Sequence, residues 1–134
     1  MRGFGSSQNM ERMNRGCARL GFPSFDGEQL TELIKKMVAL DEHWIPTEPG
    51  CSLYIRPTII GTRASLGVGP SNELLLFVIA SPVGPYYPGG WKPVSLLAST
   101  KDVRAWPGGT GAHKFGTFGT SLLRPWPVCH RRTR

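Results

Sequence analysis

Residues 73–80 read ELLLFVIA, a continuous apolar run containing phenylalanine and β-branched residues. No polar residue alternates within it, so it suits a strand covered on both faces and is expected at the centre of a sheet. The neighbouring segments must then supply strands to pair with it and helices to cover it. Residues 51–60, CSLYIRPTII, supply an alternating strand on which Ser52, Tyr54 and Arg56 point one way and Cys51, Leu53 and Ile55 the other. A phenol and a guanidinium two residues apart therefore share the polar face. Residues 94–99, VSLLAS, read as another short strand, and residues 101–106 as a brief helical or irregular piece.

Two helices are predicted upstream. Residues 9–20 place Met10, Met13, Cys17 and Leu20 at helical spacing, with Asn9 as N-cap and Gly21 and Pro23 closing the segment. In the second helix Asp26 is the cap, Gln29 at N3 completes a capping box, and Phe25 staples onto Leu30 at N4. Leu30, Leu33, Ile34, Met37 and Leu40 are expected along its buried face, while Glu28, Glu32, Lys35 and Lys36 face water.

The 134 residues lie within the usual size of one domain, and 17 Gly with 12 Pro require much turn and loop. The net charge of +7 suggests a nucleic-acid partner until it is divided along the chain. It sits at the ends, on Arg2, Arg12, Arg15 and Arg19 and on Arg124, Arg131, Arg132 and Arg134, whereas the body is neutral. No nucleic-acid partner is expected. Cys17, Cys51 and Cys129 form no CxxC, which argues against a disulfide framework or a metal site and for reduced thiols in an intracellular compartment. No apolar run approaches the ~18–20 residues of a membrane span, so no membrane partner is expected either. The arginine-rich opening matches a mitochondrial presequence in composition only.

Residues 108–116 read GGTGAHKFG, with one lysine in a run of glycines. A phosphate-binding P-loop needs Gly before its Lys and Ser or Thr after it, but Lys114 stands between His113 and Phe115. A dinucleotide fingerprint starting at Gly109 would need Gly where Lys114 stands. Both fail. A lysine becomes catalytic when it condenses with a carbonyl, and glycines around it let a flat cofactor ring approach the backbone.

NMERMNR (9–15), SLYIRPTIIGTRASLGV (52–68), LLLFVIASPVGPYYPGG (74–90), PVSLLA (93–98) and VRAWPGGTGAHKFG (103–116) occur in the order of similar segments in branched-chain amino-acid aminotransferases. The resemblance covers about residues 8–119 and is greatest to the eukaryotic members. It implies an α/β fold: the small domain of a fold-type-IV, pyridoxal-phosphate-dependent aminotransferase, plus the interdomain linker and the first strand of the large domain. The expected boundaries are residues 1–81 for the partial small domain, 82–92 for the linker and 93–119 for the start of the large cofactor-binding domain. Residues 120–134 form a basic tail resembling no part of the family.

By the same resemblance Lys114 matches the lysine that holds pyridoxal 5′-phosphate as a Schiff base and then moves the substrate α-proton. Tyr54 and Arg56 match residues at the substrate end, where a guanidinium suits a carboxylate. Leu66 and Val68 match residues lent across a homodimer interface to line the pocket for a branched side chain, and Tyr86 matches an aromatic of the interdomain loop. Branched-chain amino acids and 2-oxo acids are the implied partners, and a mitochondrial or cytoplasmic location the implied compartment. With NMERMNR matching an internal family segment, its arginines are expected on a helix rather than in a targeting signal.

The chain departs from the family pattern at Phe4-Gly5-Ser6, where the family has Phe-Arg-Pro, and at Phe118, where a phenol is expected. The family also continues through most of a second domain, which supplies the carboxylate for the pyridine nitrogen and the loops for the phosphate. The chain is therefore expected to be a truncated, poorly active aminotransferase. The alternative is a non-catalytic remnant binding no cofactor, and a small basic nucleic-acid-binding module is a remote third.

Overall fold

The computed structural model describes residues 6–87, 90, 92, 93, 95, 98, 103 and 105–116. They contain helix α1 (Ser6–Arg19), helix α2 (Gly27–Leu40), a 3-10 turn at Glu42–Trp44, and strands β1 (Ser52–Gly61) and β2 (Leu74–Val83). This is a small α/β arrangement with a two-stranded antiparallel sheet. The chain divides into two units, one ending at residue 94 and the other beginning at residue 95. The strand expected over 94–99 and the piece expected over 101–106 lie largely outside the described residues, and the tail over 120–134 lies wholly outside them.

Helix α1 begins three residues earlier than its spacing suggests, so Asn9 lies inside the helix and is not its cap. Nothing in Ser6-Ser7-Gln8 breaks a helix, and Asn9 keeps its side chain in water. Met10, Gly16 and Cys17 form the buried stripe of α1. On α2 the stripe is rotated from the expected one. Leu30 and Val38 are buried and Ile34 half-buried, whereas Leu33 and Leu40 are 61% and 82% exposed. A helix meeting its neighbour along one i, i+4 row buries 30, 34 and 38 and leaves 33 and 40 outside that contact.

Polar groups set how the two helices meet. The Asn14 amide donates through Nδ2 to Phe25 O at 2.9 Å and accepts from Phe25 N at 3.0 Å, clasping the connection between the helices. Asp26 then caps α2 by accepting from the backbone N–H of Glu28 and Gln29 at 2.9 and 3.0 Å. Gly27 gives the close approach: a Cβ there would lie 2.6 Å from Met10 Cβ. Burial pushes the Cys17 thiol above its ordinary value, partly offset by a backbone hydrogen bond.

β1 and β2 pair from Ser52 with Val83 to Gly61 with Leu74. One step beyond, Thr62 N donates to Glu73 O at 2.9 Å. Pairs in step with 62 and 73 exchange ladder hydrogen bonds, and the alternate pairs do not. Pro57 and Pro82 both fall in the alternate set, where the N–H they lack would point away from the ladder. The even residues of β1, with Tyr54 and Arg56 among them, share a face with Leu75, Phe77 and Ile79 of β2.

Among the described residues β2 is not at the centre of a sheet covered on both faces. Among the described residues it has one neighbouring strand, and Leu75 and Ile79 are 49% and 46% exposed, while Leu74, Leu76, Val78 and Ala80 are half-buried. An unbroken apolar run states that both faces tolerate burial, not that this chain provides the second cover. Among the described residues no helix is long and apolar enough to cross a membrane.

Asn14→Ala strands the Phe25 N–H and C=O and is expected to lower unfolding free energy by about 2 kcal/mol in urea titration. In thiol mapping by mass spectrometry, half-buried Cys51 is expected to alkylate well before Cys17 in the folded chain.

Candidate active site

The expected site residues fall at four places. β1 aims Tyr54 and Arg56 to the same open face, and the Arg56 Cζ lies 5.1 Å from the centroid of the Tyr54 ring. That is cation–π geometry, and Arg56 has no acidic partner among the described residues. The guanidinium is therefore oriented by an aromatic face, and its N–H donors remain available for a carboxylate.

Leu66 and Val68 stand on the connection between the strands, both fully exposed. Arg63 shapes that connection: its Nε donates to Ser65 Oγ at 2.6 Å and its guanidinium lies beside the backbone at Gly67 and Gly69. Ser71 closes the base, accepting from Arg63 N at 3.1 Å and donating to Glu73 O at 2.6 Å. The sequence reading missed Arg63, Ser65 and Ser71; the signal was a serine on each side of an arginine-started, glycine-spaced loop. Seven residue steps of extended strand, about 23 Å, separate Tyr54 from Gly61, where the connection starts.

Tyr86 follows β2 at the opposite end of the hairpin. It is 89% exposed and meets Tyr87 edge-on at 4.8 Å.

Lys114 belongs to the second unit, in which Gly109 N donates to Trp106 O at 3.0 Å and His113 N to Thr110 O at 2.9 Å. The glycines here answer to packing by their own neighbours. A Cβ at Gly109 would lie 2.9 Å from Trp106 Cε2, and one at Gly111 would collide with Ala105. Half-buried His113 and Phe115 stack with centroids 5.1 Å apart and planes 13° from parallel, and the exposed side chain between them is Lys114. The exposed amine is open to solutes, whereas a lysine nucleophile is activated where its surroundings exclude water. The described residues of this unit include no carboxylate for a pyridine nitrogen and no arginine for a phosphate.

An open cleft of about 450 Å³ lies elsewhere, between the first turns of α1 and α2, lined by Met10, Glu11, Asn14, Asp26, Glu28 and Glu32 among others. None of the expected site residues borders it. Among the described residues no group of three or more His, Cys, Asp or Glu could hold a metal ion.

No protein-family profile matches the chain. It is 56% identical over 122 residues to the branched-chain-amino-acid aminotransferase of Dictyostelium discoideum, covering 91% of this chain and 32% of that protein. It is 52% identical to the mitochondrial enzyme of Schizosaccharomyces pombe, covering 90% and 28% respectively. The cytosolic enzyme of Ovis aries is also 52% identical, with 90% and 32% covered. The chain thus spans about a third of the length of the curated relatives it matches.

A double-mutant cycle on Tyr54→Leu and Arg56→Met, read by urea unfolding, is expected to return a coupling of about 0.5–1 kcal/mol. Tyr54→Phe should retain most of it, because the ring face remains.

Proposed function

We propose that this chain, related over nine-tenths of its length to the branched-chain-amino-acid aminotransferases, carries part of an amino-transfer site of fold type IV in which Lys114 is the cofactor-holding amine. The observation that carries the reading is half-identity to such aminotransferases across a stretch holding both SLYIRP and GGTGAHKFG. The substrates are leucine, isoleucine or valine with 2-oxoglutarate, and the products a branched 2-oxo acid and glutamate. Pyridoxal 5′-phosphate, when bound, supplies the aldehyde and the electron sink for loss of the α-proton.

The chain's own residues divide the remaining work. Lys114 would hold the cofactor through its side-chain amine and would move the proton at the substrate α-carbon. Arg56, oriented over Tyr54, takes a substrate carboxylate in the planar geometry a guanidinium favours. Leu66 and Val68 line the pocket for a branched side chain. The length of β1 between Tyr54 and the connection supports their acting on a second copy's site, which is the homodimer reading. Tyr86 joins the pocket wall from the segment after β2, and residues 82–92 are the linker to the large domain, which starts at residue 93. The compartment is mitochondrial or cytosolic, the two given in the names of the relatives.

A second reading is a chain that binds no cofactor. Adding pyridoxal phosphate to the purified chain separates the two. Amino transfer predicts a visible absorbance band from the lysine-bound cofactor, lost in Lys114→Ala and kept in Arg56→Ala. Leucine-dependent turnover of this chain alone is expected to be slight even where the band forms. No band in the unsubstituted chain establishes the second reading and leaves the kinship intact.

A further inference from the structure

Leu66 and Val68 are fully exposed, so their own packing does not hold the connection that carries them. From Ala64 to Pro70 the backbone makes no hydrogen bond among the described residues. The order of this loop must come from other groups, and two sets supply it.

The base is held by Ser71. Its Oγ accepts from Arg63 N at 3.1 Å and from Glu73 N at 3.3 Å, and donates to Glu73 O at 2.6 Å. Gly61 admits it, since a Cβ there would lie 2.7 Å from Ser71 Cβ. Pro70 stands beside Gly21 at the end of α1, where a Cβ would meet Pro70 Cβ at 3.7 Å.

The tip depends on Arg63. Its Nε donates to Ser65 Oγ at 2.6 Å, and its Nη2 and Nη1 lie 3.6 and 3.9 Å from where a Cβ would sit on Gly67 and Gly69. Those glycines hold φ of 153° and 155°, which residues with side chains rarely adopt. The guanidinium therefore meets the loop at positions 65, 67 and 69, which alternate with Leu66 and Val68. No carboxylate pairs with Arg63 among the described residues, so the loop itself is what the guanidinium binds.

We propose that Arg63 is a positioning residue for recognition of the branched side chain: by holding residues 65, 67 and 69 it fixes the directions of Leu66 and Val68 without touching substrate. The role rests on the amino-transfer reading, in which those two residues line the substrate pocket. Arginine suits it by geometry. A guanidinium is a planar fork with one N–H at Nε and two amino groups in the same plane, so it reaches three loop positions at once, whereas a lysine ammonium is a single point on a flexible stem. Holding the pair beforehand spares the entropy of ordering them when a ligand arrives. The gain goes to ligands whose side chains reach that far, so it favours leucine and not alanine.

Backbone nitrogen-15 order parameters of the full chain test the positioning. Residues 65–69 are expected nearer the rigid value of about 0.85 than the flexible range, and to fall below about 0.6 in Arg63→Lys and in Ser65→Ala. Ser65→Thr keeps the hydroxyl and should keep the order. Ladder residues 54–59, which Arg63 does not touch, report any loss of the hairpin itself, and the two loosening variants act through different atoms.

Specificity is read from the visible band that pyridoxal phosphate gives on the chain, by following its loss against amino-acid concentration. Arg63→Lys is expected to raise the half-saturating leucine concentration about tenfold and that of alanine less than about twofold, with the rate at saturation unchanged. A purely structural role moves both amino acids together. Undiminished loop order in folded Arg63→Lys, or leucine and alanine shifted alike, overturns the role of Arg63 alone. No band in the unsubstituted chain overturns the amino-transfer reading and the specificity role with it.

Discussion

The hydrogen-bond parity of the β1–β2 hairpin is the constraint from which the rest of the first unit follows. Once Thr62 donates to Glu73, every residue of both strands is assigned a face and an edge. Tyr54 and Arg56 come to lie together on the open face, and both prolines land where a missing N–H costs no ladder bond. A slip of one residue would turn Arg56 toward the half-buried face and set Pro57 against a carbonyl with nothing to donate. The prolines and the arginine thus reject the same alternative for different reasons.

The helical layer rests on less apolar contact and more on polar fastening. Only Met10, Cys17, Leu30 and Val38 are buried hydrophobics among the described residues, whereas Leu33, Leu40 and Trp44 stay in water. With so few buried side chains, the Asn14 clasp on Phe25 and the Asp26 cap fix the angle of approach that Gly27 makes sterically feasible. Apolar area drives the helices together without direction, and these hydrogen bonds select one arrangement of them.

Local features of the fold were legible in the sequence, and longer-range ones less so. The Asp26 cap, the extent of α2 and the alternation of β1 depend on near neighbours, and each stands where its pattern placed it. The start of α1 was misread because Asn9 is as good a cap as the residues before it are helix formers, so composition cannot choose between them. Leu33 and Leu40 were misassigned because a 3-4 apolar pattern is wider than the row that one partner helix covers. The run in β2 announced two apolar faces but not the identity of a second cover. Of the site, the shared face of Tyr54 and Arg56 came from a period of two, while the Arg63–Ser65–Ser71 bracket needs a turn geometry that no period encodes. The glycines around Lys114 looked like room for a ligand, but Trp106 and Ala105 occupy the space beside two of them.

Exposure decides what these side chains can do. In bulk water a guanidinium 4 Å from a carboxylate gains about 1 kcal/mol, and near a protein surface of lower effective dielectric about 4 kcal/mol. Arg56 on an uncovered strand lies nearer the first limit, so cation–π contact with Tyr54 orients it without making it a strong receptor. The Lys114 amine is similarly reachable by an aldehyde, but it stands in water, without the desolvation that activates a lysine nucleophile. Each group would gain by the exclusion of water around it, which lowers the local dielectric. A guanidinium that binds carboxylates and a lysine that acts as a nucleophile each gain strength only as water is excluded around them, and side chains with the right chemistry remain weak without it.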